Sequence, residues 1–180
     1  MNIFDLQKFA SDTLEAVQGS SVIYLFRVAE DATKEDATVI AFPTENERTV
    51  SKDADTTATK DGSIRTPSQA EIEITSTSIL AKGDTIIDKL ESAMLNDKLV
   101  ECWEVNLEEE GAGEYAEKYK AKYYQGYITE LTKTSSAEDA CEIEITYGAN
   151  GSGADGYASV SADQKKTASY VYKDVLKETE

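Results

Sequence analysis

Apolar positions near the start of the chain fall at Ile3, Leu6, Ala10, Leu14 and Val17. Spacings of three and four put them on one helical face, predicting a helix over 3–17. An arm that stays extended until it docks on a partner fits residues 1–18 equally well. Gly19-Ser20-Ser21 breaks the pattern. Val22 to Val28 is β-branched and aromatic with almost no polar alternation, as in a strand buried on both faces. Thr38 to Phe42 reads as a return strand after a polar turn at 31–36. Glu71-Ile72-Glu73-Ile74 alternates strictly, one face acidic and the other apolar, and the strand continues to Leu80. Asp84 then caps a helix over 84–97, with its stripe at Ile86, Ile87, Leu90, Met94 and Leu95. Residues 99–107 form a strand with Trp103, Val105 and Leu107 on one face. Residues 119–133 alternate again, and Cys141 to Tyr147 repeats the acid/apolar pattern of 71–74. Gly148 to Gly156 reads as a connector. Ser161 caps a short helix to 169, and Tyr170-Val171-Tyr172 makes a final strand or arm.

Residues 43–69 stand apart. Val50 and Ile64 are their large apolar residues; Thr, Ser, Asp, Lys, Glu and Ala fill most of the rest. Such a segment cannot offset its own ordering entropy by burial. It is either a mobile surface loop or a long hairpin, polar on both sides, that neighbours order. The chain as a whole is β-rich. It predicts an antiparallel sandwich or partly closed barrel flanked by one helix, with residues 19–160 as its body and 161–180 as a C-terminal arm.

Composition narrows the function. The 180 residues hold 18 Lys+Arg against 35 Asp+Glu and no His, a net charge of −17. Phosphate binding needs clustered bases, so a nucleic-acid footprint is disfavoured. Without His, the commonest general base and metal ligand are missing, so no enzyme, metal or cofactor is expected. Two cysteines 39 residues apart make no Cys-x-x-Cys zinc site and read as buried free thiols. The glycines at 148, 151, 153 and 156 lack the following Gly-Lys-Ser/Thr of a phosphate loop. Asp53-Ala54-Asp55 fails the calcium-loop template, with Ala58 and Ile64 where Gly and Glu belong. No stretch approaches the ~20 apolar residues of a membrane helix. The N-terminus lacks the basic start of a signal peptide, so a cytoplasm is the expected compartment.

Charge is unevenly placed. Residues 88–117 carry ten acids and two bases, and 118–133 carry four lysines and one glutamate. Opposite blocks this close can pair within a hairpin or between copies.

The motif Asp61-Gly62-Ser63-Ile64-Arg65-Thr66-Pro67 and the strand Glu71 to Thr75 carry a family resemblance, as does Ser78-Ile79-Leu80-Ala81-Lys82-Gly83-Asp84. It continues through Leu95 to Glu104 and Lys118 to Glu130, the Ala137-Glu138-Asp139 turn, Tyr147-Gly148 and Gly156-Tyr157-Ala158. Over roughly residues 20–175 the chain resembles the major tail proteins of long, flexible-tailed bacteriophages of Gram-positive hosts. The resemblance implies a virion protein, assembled in the host cytoplasm into hexameric rings that stack as the tail tube. It implies three protein partners: the tape-measure protein, the tail terminator and the distal tail protein at the baseplate. DNA would pass through the bore without specific binding. Residues 43–69 would then contact adjacent subunits or rings, through Val50, Lys52, Asp53, Asp55, Lys60, Ile64 and Arg65. Glu71, Glu73, Glu142 and Glu144 are expected on the bore wall, where anionic groups repel phosphate, or else on the outside or in ion pairs between subunits. A carbohydrate-binding or adhesin-type module is the alternative, with ten Tyr and one Trp available to stack on sugars.

Overall fold

The structure is a computed structural model that describes residues 15–162, 164 and 165. Its strands are β1 (Val22–Val28), β2 (Thr38–Val39), β3 (Pro43–Ser51), β4 (Ala54–Thr59), β5 (Gly62–Pro67) and β6 (Glu71–Ile79). After helix α1 (Thr85–Leu95) come β7 (Val100–Glu110), β8 (Tyr119–Thr134), β9 (Glu142–Ala149) and β10 (Ala154–Ala158). One antiparallel sheet runs β2-β1-β7-β8-β9-β6-β3, and β4 pairs with β5 as a separate ribbon. The expected β-rich, partly closed fold with one flanking helix is what the chain adopts.

Strand β8 joins the two halves of the sheet. Its residues 119–126 pair with β7, and its residues 126–134 pair with β9. Gly126 sits at the crossover. A Cβ there would strike the carbonyl oxygen of Gly148 and lie 2.9 Å from Ala149 Cα, so the close approach of β8 and β9 excludes any side chain. The chain of β9 continues past Gly151-Ser152-Gly153 into β10, which follows the same edge of β8 at Tyr119–Tyr123.

The main core lies on one face of this curled sheet. Tyr24, Phe26, Ile72, Ile74, Val100, Tyr124, Ile143, Ile145 and Tyr147 meet α1 through Ile86, Ile87, Leu90 and Ala93. Tyr147 is wholly buried, and its hydroxyl donates to Val100 O at 3.1 Å. A second cluster, Ile23, Leu25, Val39, Val105, Tyr119 and Ala121, lies on the opposite face of β1, β7 and β8. Strand β1 is thus buried on both sides, as its unbroken apolar run predicts.

Helix α1 starts where expected. Asp84 accepts from Ile86 N at 3.1 Å, and its other oxygen accepts from Ala41 N at 3.2 Å, tying the helix to the segment after β2. Ser161 and Gln164 form a reciprocal cap, Gln164 N donating to Ser161 Oγ and Ser161 N to Gln164 Oε1.

Several expectations change. The return strand stops at Val39, and Phe42 turns out of line with φ 49°, 64% exposed. Residues 43–51 are a full strand of the main sheet, and 54–67 form a tight hairpin, so the polar segment is the hairpin and not a mobile loop. The glycine connector shrinks to 150–153 because β9 and β10 take up its flanks. Cys102 is buried, but Cys141 is half-exposed. Residues 15–18 are not helical. The rest of the proposed helix over 3–17, the extension of the second helix to 169 and the Tyr170–Tyr172 strand lie outside the described residues.

Candidate functional site

Residues opposite one another in an antiparallel ladder share a face, so the registers of β3, β6, β9 and β8 define the outward surface. One row holds Glu45, Thr77, Glu144 and Thr132; the next holds Glu47, Thr75, Thr146 and Glu130. Above them lie Thr49, Glu73, Gly148 and Tyr127, then Ser51 and Glu71; at the other end stand Ile79, Glu142 and Thr134. Seven glutamates and a run of threonines share this face with no Lys or Arg at any of its ladder positions. The four glutamates expected together, Glu71, Glu73, Glu142 and Glu144, are all on it and all exposed. Glu45, Glu47 and Glu130 complete it. The sequence signal for Glu45 and Glu47 is their alternation with Asn46 and Arg48, which a search for apolar periodicity passes over.

The bases of these strands point elsewhere. Arg48 takes the inner face of β3 and pairs with Glu104 of β7 through its Nε at 2.8 Å. That ion pair ties the sheet's last strand to its opposite half. Beside it, burial and the Glu104 carboxylate push the Tyr124 hydroxyl up to about 12. Lys133 projects with Leu131 and Ile143 toward α1.

Among the described residues, both edges of this four-stranded patch are open. There β3 pairs with β6 alone, and Tyr127–Thr134 of β8 pairs on the β9 side alone, because β7 begins opposite Gly126. From the end of β3 the ribbon β4–β5 projects. Lys52 and Asp53 lead into it, Asp53 O accepting from Ser68 N at 2.7 Å. Asp55 and Ile64 lie on one of its faces, Arg65 on the other, and Lys60 in its turn. Val50 is on the inner face of β3 beside Ile72, 55% exposed. The structure therefore brings Asp55, Lys60, Ile64 and Arg65 onto one projecting ribbon, leaves Lys52 and Asp53 at its base and keeps Val50 on the main sheet.

Of the opposite charge blocks, Lys120 and Glu109 pair with each other at 2.5 Å, while Lys122 of the basic block pairs with Asp155 at 3.3 Å and Lys98 of the acidic block with Glu30 at 2.7 Å. Arg27 pairs with Glu101 at 2.8 Å and covers the Trp103 ring at 5.0 Å, while Tyr123 leans on that ring at 5.1 Å. Trp103 is thus occupied by its own neighbours. Among the described residues no cluster of potential ligands could hold a metal ion, and no helix is long and apolar enough to cross a membrane.

This architecture has close counterparts. The SPP1 tail tube superposes with a TM-score of 0.69 at 20% identity, over 92% of this chain and 95% of that one. The tail of the empty gene transfer agent particle, refined with C6 symmetry, gives 0.58 at 11% identity, over 80% and 100% of the two chains. In sequence, the "Putative tail protein" of Staphylococcus phage phiMR25 is 34% identical over 158 residues, 86% of this chain and 81% of its relative. The family described as phage tail tube protein matches residues 16–174, nearly the whole described body. The chain belongs to the phage tail tube protein family.

Proposed function

We infer that this subunit assembles into sixfold rings that stack as a tail tube, with the glutamate–threonine face of β3, β6, β9 and β8 lining the bore. The observation that carries this reading is the single-sign face bounded by two open edges. Strands β8, β9, β6 and β3 are each antiparallel to the next, so β3 and β8 run in opposite directions. When β3 of one copy meets β8 of the next, the seam is antiparallel as well. Repeating that contact around a ring closes the sheet and removes both edges, which otherwise invite uncontrolled pairing. Four strands from each of six copies at about 4.8 Å spacing give a backbone radius of about 18 Å, widened to about 22–26 Å by usual strand tilts. A DNA duplex passes such a bore.

The chemistry of the wall matches that traffic. Carboxylates facing a polyanion repel it, and the absence of Lys and Arg leaves nothing to release counterions and hold it. Threonine hydroxyls keep the wall wet without charge. Within the virion, the tape-measure protein, the tail terminator and the distal tail protein would meet the bore and the tube's two ends.

The variant Glu71→Lys/Glu73→Lys tests the wall. Tubes of this variant, incubated with short duplex DNA at low salt and imaged in cross-section, are expected to hold DNA density inside the bore, while unsubstituted tubes stay clear. DNA decorating only the outside of the variant tubes would sink the assignment.

A further inference from the structure

The turn between β9 and β10 carries an asparagine unlike the others. Four asparagines lie among the described residues: Asn46, Asn96, Asn106 and Asn150. The first three have their side chains held. Asn46 Oδ1 accepts from the Ser76 hydroxyl. Asn96 Nδ2 donates to Ser92 O at 2.7 Å. Asn106 Nδ2 donates to Glu109 Oε1 at 3.0 Å, and its Oδ1 accepts from Glu108 N at 3.0 Å. Each is followed by a residue with a large side chain, Glu47, Asp97 or Leu107. Asn150 is exposed, and Gly151 follows it. Among the described residues no hydrogen bond holds its side chain.

The backbone here is anchored on one side and open on the other. Asn150 N donates to Gln125 O at 2.7 Å, which ties the end of β9 to β8. Gly151 then turns with φ 69°, a conformation that glycine adopts without strain. Among the described residues, nothing beyond its chain neighbours lies within 4 Å of where a Cβ on Gly151 would stand. Its N–H has no acceptor among them either. An unhindered backbone nitrogen thus follows directly on an unrestrained carboxamide.

That juxtaposition has a chemistry of its own, since asparagine is among the thermolabile side chains. The carboxamide carbon is the electrophile, and the nitrogen of the next residue, once deprotonated, is the nucleophile. Ring closure forms a bond from Gly151 N to Asn150 Cγ and breaks the Cγ–Nδ2 bond. The side-chain nitrogen leaves as ammonia with the proton that Gly151 N gave up. Water then opens the succinimide. Attack at Cγ gives aspartate; attack at the main-chain carbonyl gives isoaspartate, whose backbone runs through the former side chain. No oxidant or reductant takes part. A side chain on the following residue crowds the closure, and a held carboxamide cannot turn into it. Asn46, Asn96 and Asn106 are slow on both counts.

The product lands on the glutamate–threonine face. The β6–β9 ladder ends with Ile72 opposite Ala149. The next residues out, Glu71 and Asn150, line one cleft with Ser51 and Glu73. An acid at this position adds one carboxylate per copy beside Glu71. Isoaspartate also lengthens the backbone by one carbon where the chain is anchored to β8.

We propose that Asn150 is a self-modifying position: Gly151 closes on its carboxamide, ammonia is lost, and the end of the acidic face gains a carboxylate as the protein ages. The reaction is independent of the stacked-ring reading, and the exposure of the new charge to the bore rests on it.

Peptide mapping of the free subunit tests it. The tryptic peptide 134–165 has Asn150 as its single asparagine. After incubation of the native chain at mildly alkaline pH, this peptide should show the mass gain of an amide converted to an acid. An isoaspartate-specific carboxyl methyltransferase should label it, while the peptides carrying Asn46, Asn96 and Asn106 stay unchanged. The native rate should lie within about tenfold of the rate in the denatured chain, because the turn gives no protection. Asn150→Gln, whose longer side chain closes the ring poorly, should cut the product about tenfold or more. Asn150→Asp should elute from an anion exchanger with the aged parent. A native chain that keeps the amide while the denatured chain loses it overturns the proposal, as does conversion at Asn46, Asn96 or Asn106 ahead of Asn150. Every readout is on the free subunit, so a failure to form tubes bears on the stacked-ring reading alone.

Discussion

Cys102 and Cys141 show how environment separates two identical side chains. Cys102 lies on β7 facing the main core, fully buried, and burial pushes its thiol well above the usual range. At pH 8 it stays protonated and therefore unreactive, since the thiolate is the nucleophile. Cys141 stands half-exposed before β9. Iodoacetamide on the native subunit should modify Cys141 alone, and Cys102 only after denaturation; equal native labelling of both would contradict the burial. At this scale the sequence was most legible where a residue's neighbours alternate. Ile72, Ile74, Ile143 and Ile145 are interior, and the glutamates between them are exterior, because a strand's period of two leaves no other arrangement. Cys141 was misread as buried because it precedes the strand it was counted in, where alternation no longer constrains it.

The elements differ in how far local residues determine them. Helix α1 has a stripe, a cap and a stop within fourteen residues, so local sequence suffices. Asp84 acts beyond the helix as well, since its carboxylate also satisfies Ala41 N from the segment after β2. Asp84→Ala removes a cap and strands that amide, at a combined cost of about 2 kcal/mol. Thermal unfolding of the free subunit should fall by about 4–8 °C, with Asp84→Asn recovering part of it. An unchanged melting temperature would show that water replaces both bonds. Strand β3 is the opposite case. Its inner positions, Asn46, Arg48 and Val50, carry one apolar residue among three, and its stability comes from pairing with β6, twenty or more residues away in sequence, and from the Arg48–Glu104 ion pair. No local periodicity records either interaction. The hairpin β4–β5 was foreseen as a possibility because its Thr-rich alternation suits a ribbon polar on both faces, but its turn at Lys60-Asp61 has no apolar flank to announce it.

For the whole molecule, charge opposes the proposed assembly. Six copies at −17 each put −102 on one ring. The ion pairs described above hold five of the 18 Lys and Arg within the subunit, and the face proposed for the bore carries none at its ladder positions. In the proposed ring, the seam between β3 and β8 would be backbone hydrogen bonding, which salt weakens little. Repulsion between the acidic faces is weakened strongly, because the screening length falls from about 10 Å at 0.1 M to about 3 Å at 1 M. Sulfate also strengthens apolar contacts by exclusion from the surface. Tube formation by purified subunits should therefore rise with ionic strength, and more with sulfate than with chloride at matched ionic strength. Sedimentation of assembled tubes across a salt series measures both effects. Tubes that dissolve as salt rises would mean that ion pairs between copies hold the rings together.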